Sequence, residues 1–472
     1  MLLLLSVYAI VVGVSKQFSA MNLDPLVHFS VLFFFLLLLS VNEGFQVAAL
    51  RIQNMCPHEI GVAFPRAAKV HSLLYPSGSG HVKSRLKQLF IGQSFCVVLS
   101  TFVIAQCTTF GNFDPSYALD SRFLSSFLAS GFPGVFFTVC VAQLTPSLIS
   151  KLYPCHFLDL PGVYTVIQVA LLLEASGLLY FTYLFVDVIE RAACMSSPLS
   201  TRGAKKSEVD ATSSYLVEER VESEENGAEA NYALPSLCSR TVTLMKAATS
   251  SCIFVAAFSF LVYSLVKGYS SSLLPVLLQA ALLVLALVTV FYFEGLKIAI
   301  VSRTEDISSL EPKAAEDSDS SATMGENVVN LLREQPQGVE RFLLGRQQLV
   351  VPCGFVVAQI TSFTSFPSKG MSQGLYFIVV VFGLPAVLVL LQLSQLAPQL
   401  LAEGHGKMFL SLPGAFSFVY SALCVEKLGV VSIVFLFLGK ISTETRVPEP
   451  VAYEKATCSE GATTLNPVAA AP

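Results

Sequence analysis

Ten apolar stretches, each close to the thickness of a bilayer's hydrocarbon core, restrict this chain to very few architectures. A helix crossing that core needs about 20 largely apolar residues, and inside it every backbone N–H and C=O must be paired within the segment. The stretches run over roughly 2–17, 25–50, 89–110, 123–148 and 162–188, then over 247–267, 273–301, 343–363, 375–400 and 412–438. Hydrophobic residues make up 53% of the chain and Asp, Glu, Lys and Arg only 13%, about half the share usual in soluble domains. Nucleic-acid binding is excluded as the main activity, and a cytosolic enzyme is disfavoured. The expected fold class is an all-α polytopic membrane protein with the lipid bilayer as its surroundings.

The first stretch begins at Met1 and is short enough for a signal peptide. However, no positive residue precedes it, and Phe18-Ser19-Ala20 is a poor cleavage site, so a retained helix is expected. The eleven cysteines are scattered, mostly in apolar runs, and form no CxxC pair; they read as small apolar fillers. The six histidines form no cluster, so no cofactor and no metal centre is expected. Residues 191–243 carry Glu218, Glu219, Glu222, Glu224, Glu225 and Glu229 and read as a disordered acidic linker. Residues 441–472, with four prolines, read as a disordered tail.

The chain is internally duplicated. Gly92–Phe110 lies over Gly345–Phe363 at an offset of 253, with nine identities in nineteen positions, among them Gly92/Gly345, Gln106/Gln359 and Thr108/Thr361. At an offset of 252, Gln143-Leu-Thr-Pro146 lies over Gln395-Leu-Ala-Pro398, and Glu174-x-x-Gly177 over Glu426-x-x-Gly429. Glu43-Gly44 lies over Glu294-Gly295 at 251. The halves are 1–190 and 244–440. Five spans per half is an odd number, so the second half enters the membrane from the opposite side. Two inverted five-helix repeats are the expectation, an arrangement many secondary transporters use for alternating access. The basic loop 51–88 favours cytosolic termini.

Polar groups inside such spans are costly, about 2.5–3.5 kcal/mol for a carboxylate at mid-membrane, and each needs a reason. Glu43 and Gln46 share one helical face around Gly44, and Glu294 and Lys297 do the same around Gly295, there as a candidate ion pair. Gln93 and Ser94 open the third span, where the second half has Arg346 and Gln347. With Gln106 and Gln359 these are the candidate substrate-binding residues. Thr108, Gln143, Pro146 and Glu174, with their counterparts Thr361, Gln395, Pro398 and Glu426, are candidates for ion binding or gating. The prolines are expected to break or kink the fourth span of each half and free backbone carbonyls. Helix-to-helix packing is the competing role for every one of these groups. Amides, hydroxyls and a few carboxylates suit a small, neutral, hydroxyl-rich solute, with a carboxylate and carbonyls left for Na⁺.

Glu43-Gly-Phe-Gln46 matches a Glu-Gly-x-Gln motif and Gly345-Arg-Gln347 a Gly-Arg-Gln motif. These resemble the paired signatures of the silicon (silicic acid) transporters of diatoms and other algae, over about 25–190 and 270–440. Lys297 and Gly92-Gln93-Ser94 depart from the pattern, as in a divergent member. The resemblance implies ten spans in two repeats, a plasma-membrane or intracellular-vesicle location, and Na⁺-coupled uptake of silicic acid by alternating access. It also implies that the motif glutamates and glutamines, here Glu43, Gln46, Glu294 and Gln347, hydrogen-bond the solute hydroxyls, Gly345 and Arg346 matching the second motif. A passive channel or facilitator, a transporter of another substrate such as a metal ion, and a non-transporting scaffold are the alternatives.

Overall fold

Long runs of Leu, Phe, Val and Ala with charge confined to a few positions leave the backbone no partner but itself, and the computed structural model is largely helical in its described residues. These are 2–16, 21, 23–52, 55, 60, 63–75, 82–110, 131–196, 237–270, 274–302, 324–335, 337–363, 366, 367 and 371–429. The first half contains α1 (Leu2–Ser15), α2 (Pro25–Ile52), α3 (Pro65–Leu74), α4 (Val82–Thr108), α5 (Phe132–Leu152), α6 (Pro154–Leu158), α7 (Val163–Ala175) and α8 (Tyr180–Ser196). The second contains α9 (Leu237–Val266), α10 (Val276–Val301), α11 (Met324–Arg333), α12 (Gly338–Ile360), α13 (Gln373–Tyr376), α14 (Leu384–Gly404), α15 (Gly406–Leu410) and α16 (Ala415–Lys427).

Among the described residues, seven helices are long and apolar enough to cross a membrane: α2, α4 from Gln88, α5, α9 from Thr241, α10, α12 and α14. The pair α7 and α8, bent by 57° at a short break, makes an eighth if it counts as one span. The protein is an integral membrane protein. The outward faces agree, because Leu26, Phe33, Phe34 and Leu37 on α2 are exposed, as are Leu277, Val284, Leu285 and Val288 on α10. Such rows belong against lipid. Helices α1 and α16 are shorter than a span, and residues 430–438 of the last expected stretch lie outside the described residues, as do 123–130 of the fourth. Helix α8 continues to Ser196 and α9 begins at Leu237, within the two ends of the expected linker 191–243. Residues 197–236 and 430–472 lie outside the described residues.

The duplication recurs in the helix bounds. Helices α6 and α15, and α7 and α16, are related by the 252-residue offset, and so are α5 and α14. Left-handed glycines precede corresponding helices, Gly131 and Gly383 at φ 74° and 60°, Gly162 and Gly414 at φ 96° and 93°. One apolar core joins Phe45, Ala48, Phe157, Leu158, Ile167 and Ala170. The other joins their counterparts Leu296, Ala299, Phe409, Leu410, Val419 and Ala422.

The prolines do not break their spans. Each of α5 and α14 is continuous and carries a π turn, Thr138–Leu144 and Leu390–Leu396, with Pro146 and Pro398 in the turn that follows. A π turn adds a residue to the helical ring, which relieves the collision a proline ring makes with the carbonyl one turn back. The widened turn also changes the direction in which nearby side chains project.

Candidate solute-binding cavity

Six helices converge on a buried cavity of about 60 Å³, room for roughly four water-sized spheres. From α2 come Glu43 and Gln46, and from α10 Glu294 and Lys297, in both cases one turn apart on a single face. Ser94 and Thr101 on α4 and Arg346 and Gln347 on α12 supply the flanks. Gln143 on the π turn of α5, and Gln395 and Gln399 on α14, complete the polar lining. Valines 97, 98, 290, 350 and 351 close the wall between them.

A small residue sets each close approach. The counterparts Gly92 and Gly345 lie against the carbonyl oxygens of Ala170 and Ala422, where an added Cβ would overlap the backbone. Gly44 and Gly295 face the rings of Phe157 and Phe409. These contacts bring α4 onto α7 and α12 onto α16.

The lining is linked into one network spanning both halves. Gln347 donates through Nε2 to Oε1 of Gln143 at 2.7 Å and reaches Glu43 at 3.5 Å. Its own carbonyl accepts from Arg346 at 2.8 Å. Arg346 also lies 3.4 Å from Glu294, whose other oxygen accepts from Gln399 at 2.8 Å and stands 3.9 Å from Lys297. Glu294 and Arg346 are almost wholly buried. Nevertheless, Nε and one terminal nitrogen of Arg346 have no hydrogen-bond partner. Buried guanidinium donors without a partner are expensive, and these two belong to the residue that joins Glu294 to Gln347. Two carboxylates face two basic groups, so their formal charges cancel.

Of the sequence candidates, Glu43, Gln46, Ser94, Gln143, Glu294, Lys297, Arg346, Gln347 and Gln395 meet in this cavity. Others are elsewhere. Gln93 donates to the backbone carbonyl of Asn42, and Gln106 donates to that of Ala358 at 2.8 Å, joining α4 to α12. Gln359 lies beside Gly131. The hydroxyls of Thr108 and Thr361 donate to their own helices at Ile104 and Val357. Pro146 and Pro398 are buried behind the π turns. Glu174 sits near Lys246, and Glu426 accepts from Arg341 at 2.8 and 2.5 Å. Gln399 and Thr101 were not singled out by the sequence. Gln399 is one helical turn beyond Gln395, and its repeat counterpart is Ser147, so a search for recurring glutamines passes over it.

The two motifs that carry the sequence resemblance thus face one cavity from opposite halves of the chain. A family model described as silicon transporter matches residues 2–211 and 213–447. The chain belongs to the silicon transporter family. No curated protein and no solved structure matches it. As a member, it is a transport protein rather than an enzyme. Among the described residues of this silicon transporter, no three His, Cys, Asp or Glu side chains are grouped to hold a metal ion.

Proposed function

We propose that the protein moves silicic acid across a membrane by alternating access, with Glu43, Gln46, Glu294, Lys297, Arg346 and Gln347 as the solute-facing groups. The observation that carries this reading is a charge-balanced cavity lined by carboxylates, amides and hydroxyls from both halves of the chain. Silicic acid is uncharged at neutral pH, and each of its hydroxyls both donates and accepts. Carboxylate and amide oxygens take its hydrogens, while Arg346, Lys297 and the Ser94 and Thr101 hydroxyls meet its oxygens. A bare anion would be repelled by Glu43 and Glu294, and a bare cation by Lys297 and Arg346.

The architecture proposed with it is ten spans in two inverted five-helix repeats, α1 and α16 being counted as spans of their halves. The recurrence of helix bounds at 252 residues supports it, as does a cavity lined from both halves. The setting is a plasma membrane or an intracellular vesicle membrane, with the solute as the transported partner.

Uptake of radiolabelled germanic acid, a tetrahydroxy analogue, into proteoliposomes is the test. Saturable flux competed by silicic acid, and reduced in Glu43→Ala and Gln46→Ala, is the expected result. Flux unchanged in both variants would remove these residues from the pathway, and no competition by silicic acid would remove the substrate.

A further inference from the structure

The repeat places different partners beside its two carboxylates. At the third position after Glu43 stands Gln46; at the third after Glu294 stands Lys297. Glu294 is heavily engaged, with Gln399 at 2.8 Å, Arg346 at 3.4 Å and Lys297 at 3.9 Å. Among the described residues, no ion pair within 4.0 Å reaches Glu43. The Lys297 ammonium is beyond hydrogen-bonding distance of Glu294, its side chain keeps 26% of its surface, and it lines the same cavity as Glu43. It interacts electrostatically with both carboxylates. A lysine so placed is a compact cation on a flexible stem, free to lean toward either acid.

Charge counting gives this placement a consequence. With Lys297 present, two carboxylates face two basic groups. With glutamine there, as at Gln46, the cavity would hold one uncompensated negative charge, and a low-dielectric site strongly disfavours that. One monovalent cation from solution would restore the balance.

We propose that Lys297 is a tethered counter-ion that stands in for a diffusible coupling cation, so that uptake by this chain does not require Na⁺. The inference rests on the transport reading and deepens it, and it departs from the sodium coupling that the sequence resemblance implies.

The test compares germanic acid uptake in NaCl and in choline chloride, alongside Na⁺-dependent thermal stabilisation of the purified protein. The wild type should take up germanic acid equally in both salts and show no Na⁺-specific stabilisation. Lys297→Gln should gain Na⁺-specific stabilisation, and the uptake that it retains should fall by on the order of tenfold when choline replaces Na⁺. The exchange Gln46→Lys with Lys297→Gln returns one lysine to the cavity and should abolish the Na⁺-specific stabilisation again. The exchange also keeps the proposal falsifiable if the single variant does not fold. A wild type that needs Na⁺, a Lys297→Gln protein indifferent to it, or an exchanged protein still stabilised by it would overturn the proposal. Absence of uptake in either salt by folded wild type would overturn the transport reading. Thermal stabilisation, which involves no substrate, would still judge Lys297 on its own.

Discussion

Arg346 and Glu294 lie 3.4 Å apart with side chains only 6% and 5% exposed, each on the central helix pair of the second half. A buried pair is weak evidence for stability as such, because desolvation offsets much of the attraction. Removing one member is another matter. Arg346→Ala leaves Glu294 with Lys297 at 3.9 Å as its nearest cation, and the expected loss is about 3–5 kcal/mol. The double change Arg346→Met with Glu294→Leu should recover most of that stability while abolishing uptake. Thermal denaturation in detergent, read beside flux, separates the two effects. A double variant as unstable as the single one would show that the pair is not coupled.

Gln399 donates to Glu294 at 2.8 Å, closer than either basic side chain beside it. Gln399→Ala removes one hydrogen bond to a charged acceptor without adding bulk to the cavity. A loss of about 1 kcal/mol in solute affinity, roughly a fivefold rise in KM, is expected. Concentration dependence of uptake checks it, and an unaltered KM would place Gln399 outside the binding step.

How far the cavity could be read from sequence depended on helical phase. A carboxylate and an amide one turn apart in an apolar helix share a face whatever the packing, so Glu43 with Gln46 and Glu294 with Lys297 were legible. The positions of Gln93, Gln106 and Gln359 were not. Gln93 and Ser94 are adjacent, about 100° apart around α4, so one faces the cavity while the other bonds the backbone of α2. Gln106 is chemically identical to Gln93 and instead ties the two halves together at Ala358. The Thr108 and Thr361 hydroxyls donate to their own helices, a local choice that composition does not reveal. Glu426 recurs with Glu174, but its partner Arg341 lies 85 residues away, and no local spacing announces that pairing. The duplication was legible because it preserves glycines. Whether proline kinks a span or follows a π turn depends on the whole helix, and so was not.

Those glycines make a graded prediction. At Gly92 and Gly345 an added Cβ meets a backbone carbonyl, whereas at Gly44 and Gly295 it meets a phenylalanine ring that can turn aside. Gly92→Ala and Gly345→Ala should each cost about 1–3 kcal/mol through forced helix separation, and by similar amounts because their surroundings match. Gly44→Ala and Gly295→Ala should cost less. Midpoints of thermal denaturation measured side by side would check the order. Unequal losses at Gly92 and Gly345 would mean that the two close approaches are not equivalent.

The proposed inverted arrangement has a direct consequence for the ends of α2 and α10, which carry corresponding residues of the two halves. If the halves are embedded in opposite senses, the chain just past Ile52 and the chain just past Val301 emerge on opposite sides of the bilayer. Single cysteines at Met55 and at Ser302, introduced into an otherwise cysteine-free protein, report this through a membrane-impermeant maleimide applied to sealed, right-side-out vesicles. One position should label from outside and the other only after permeabilisation. Labelling of both from the same side would put Glu43 and Glu294 on helices running in the same sense. The cavity they share would then be a packing niche between parallel copies, with no second orientation for a solute to be released into.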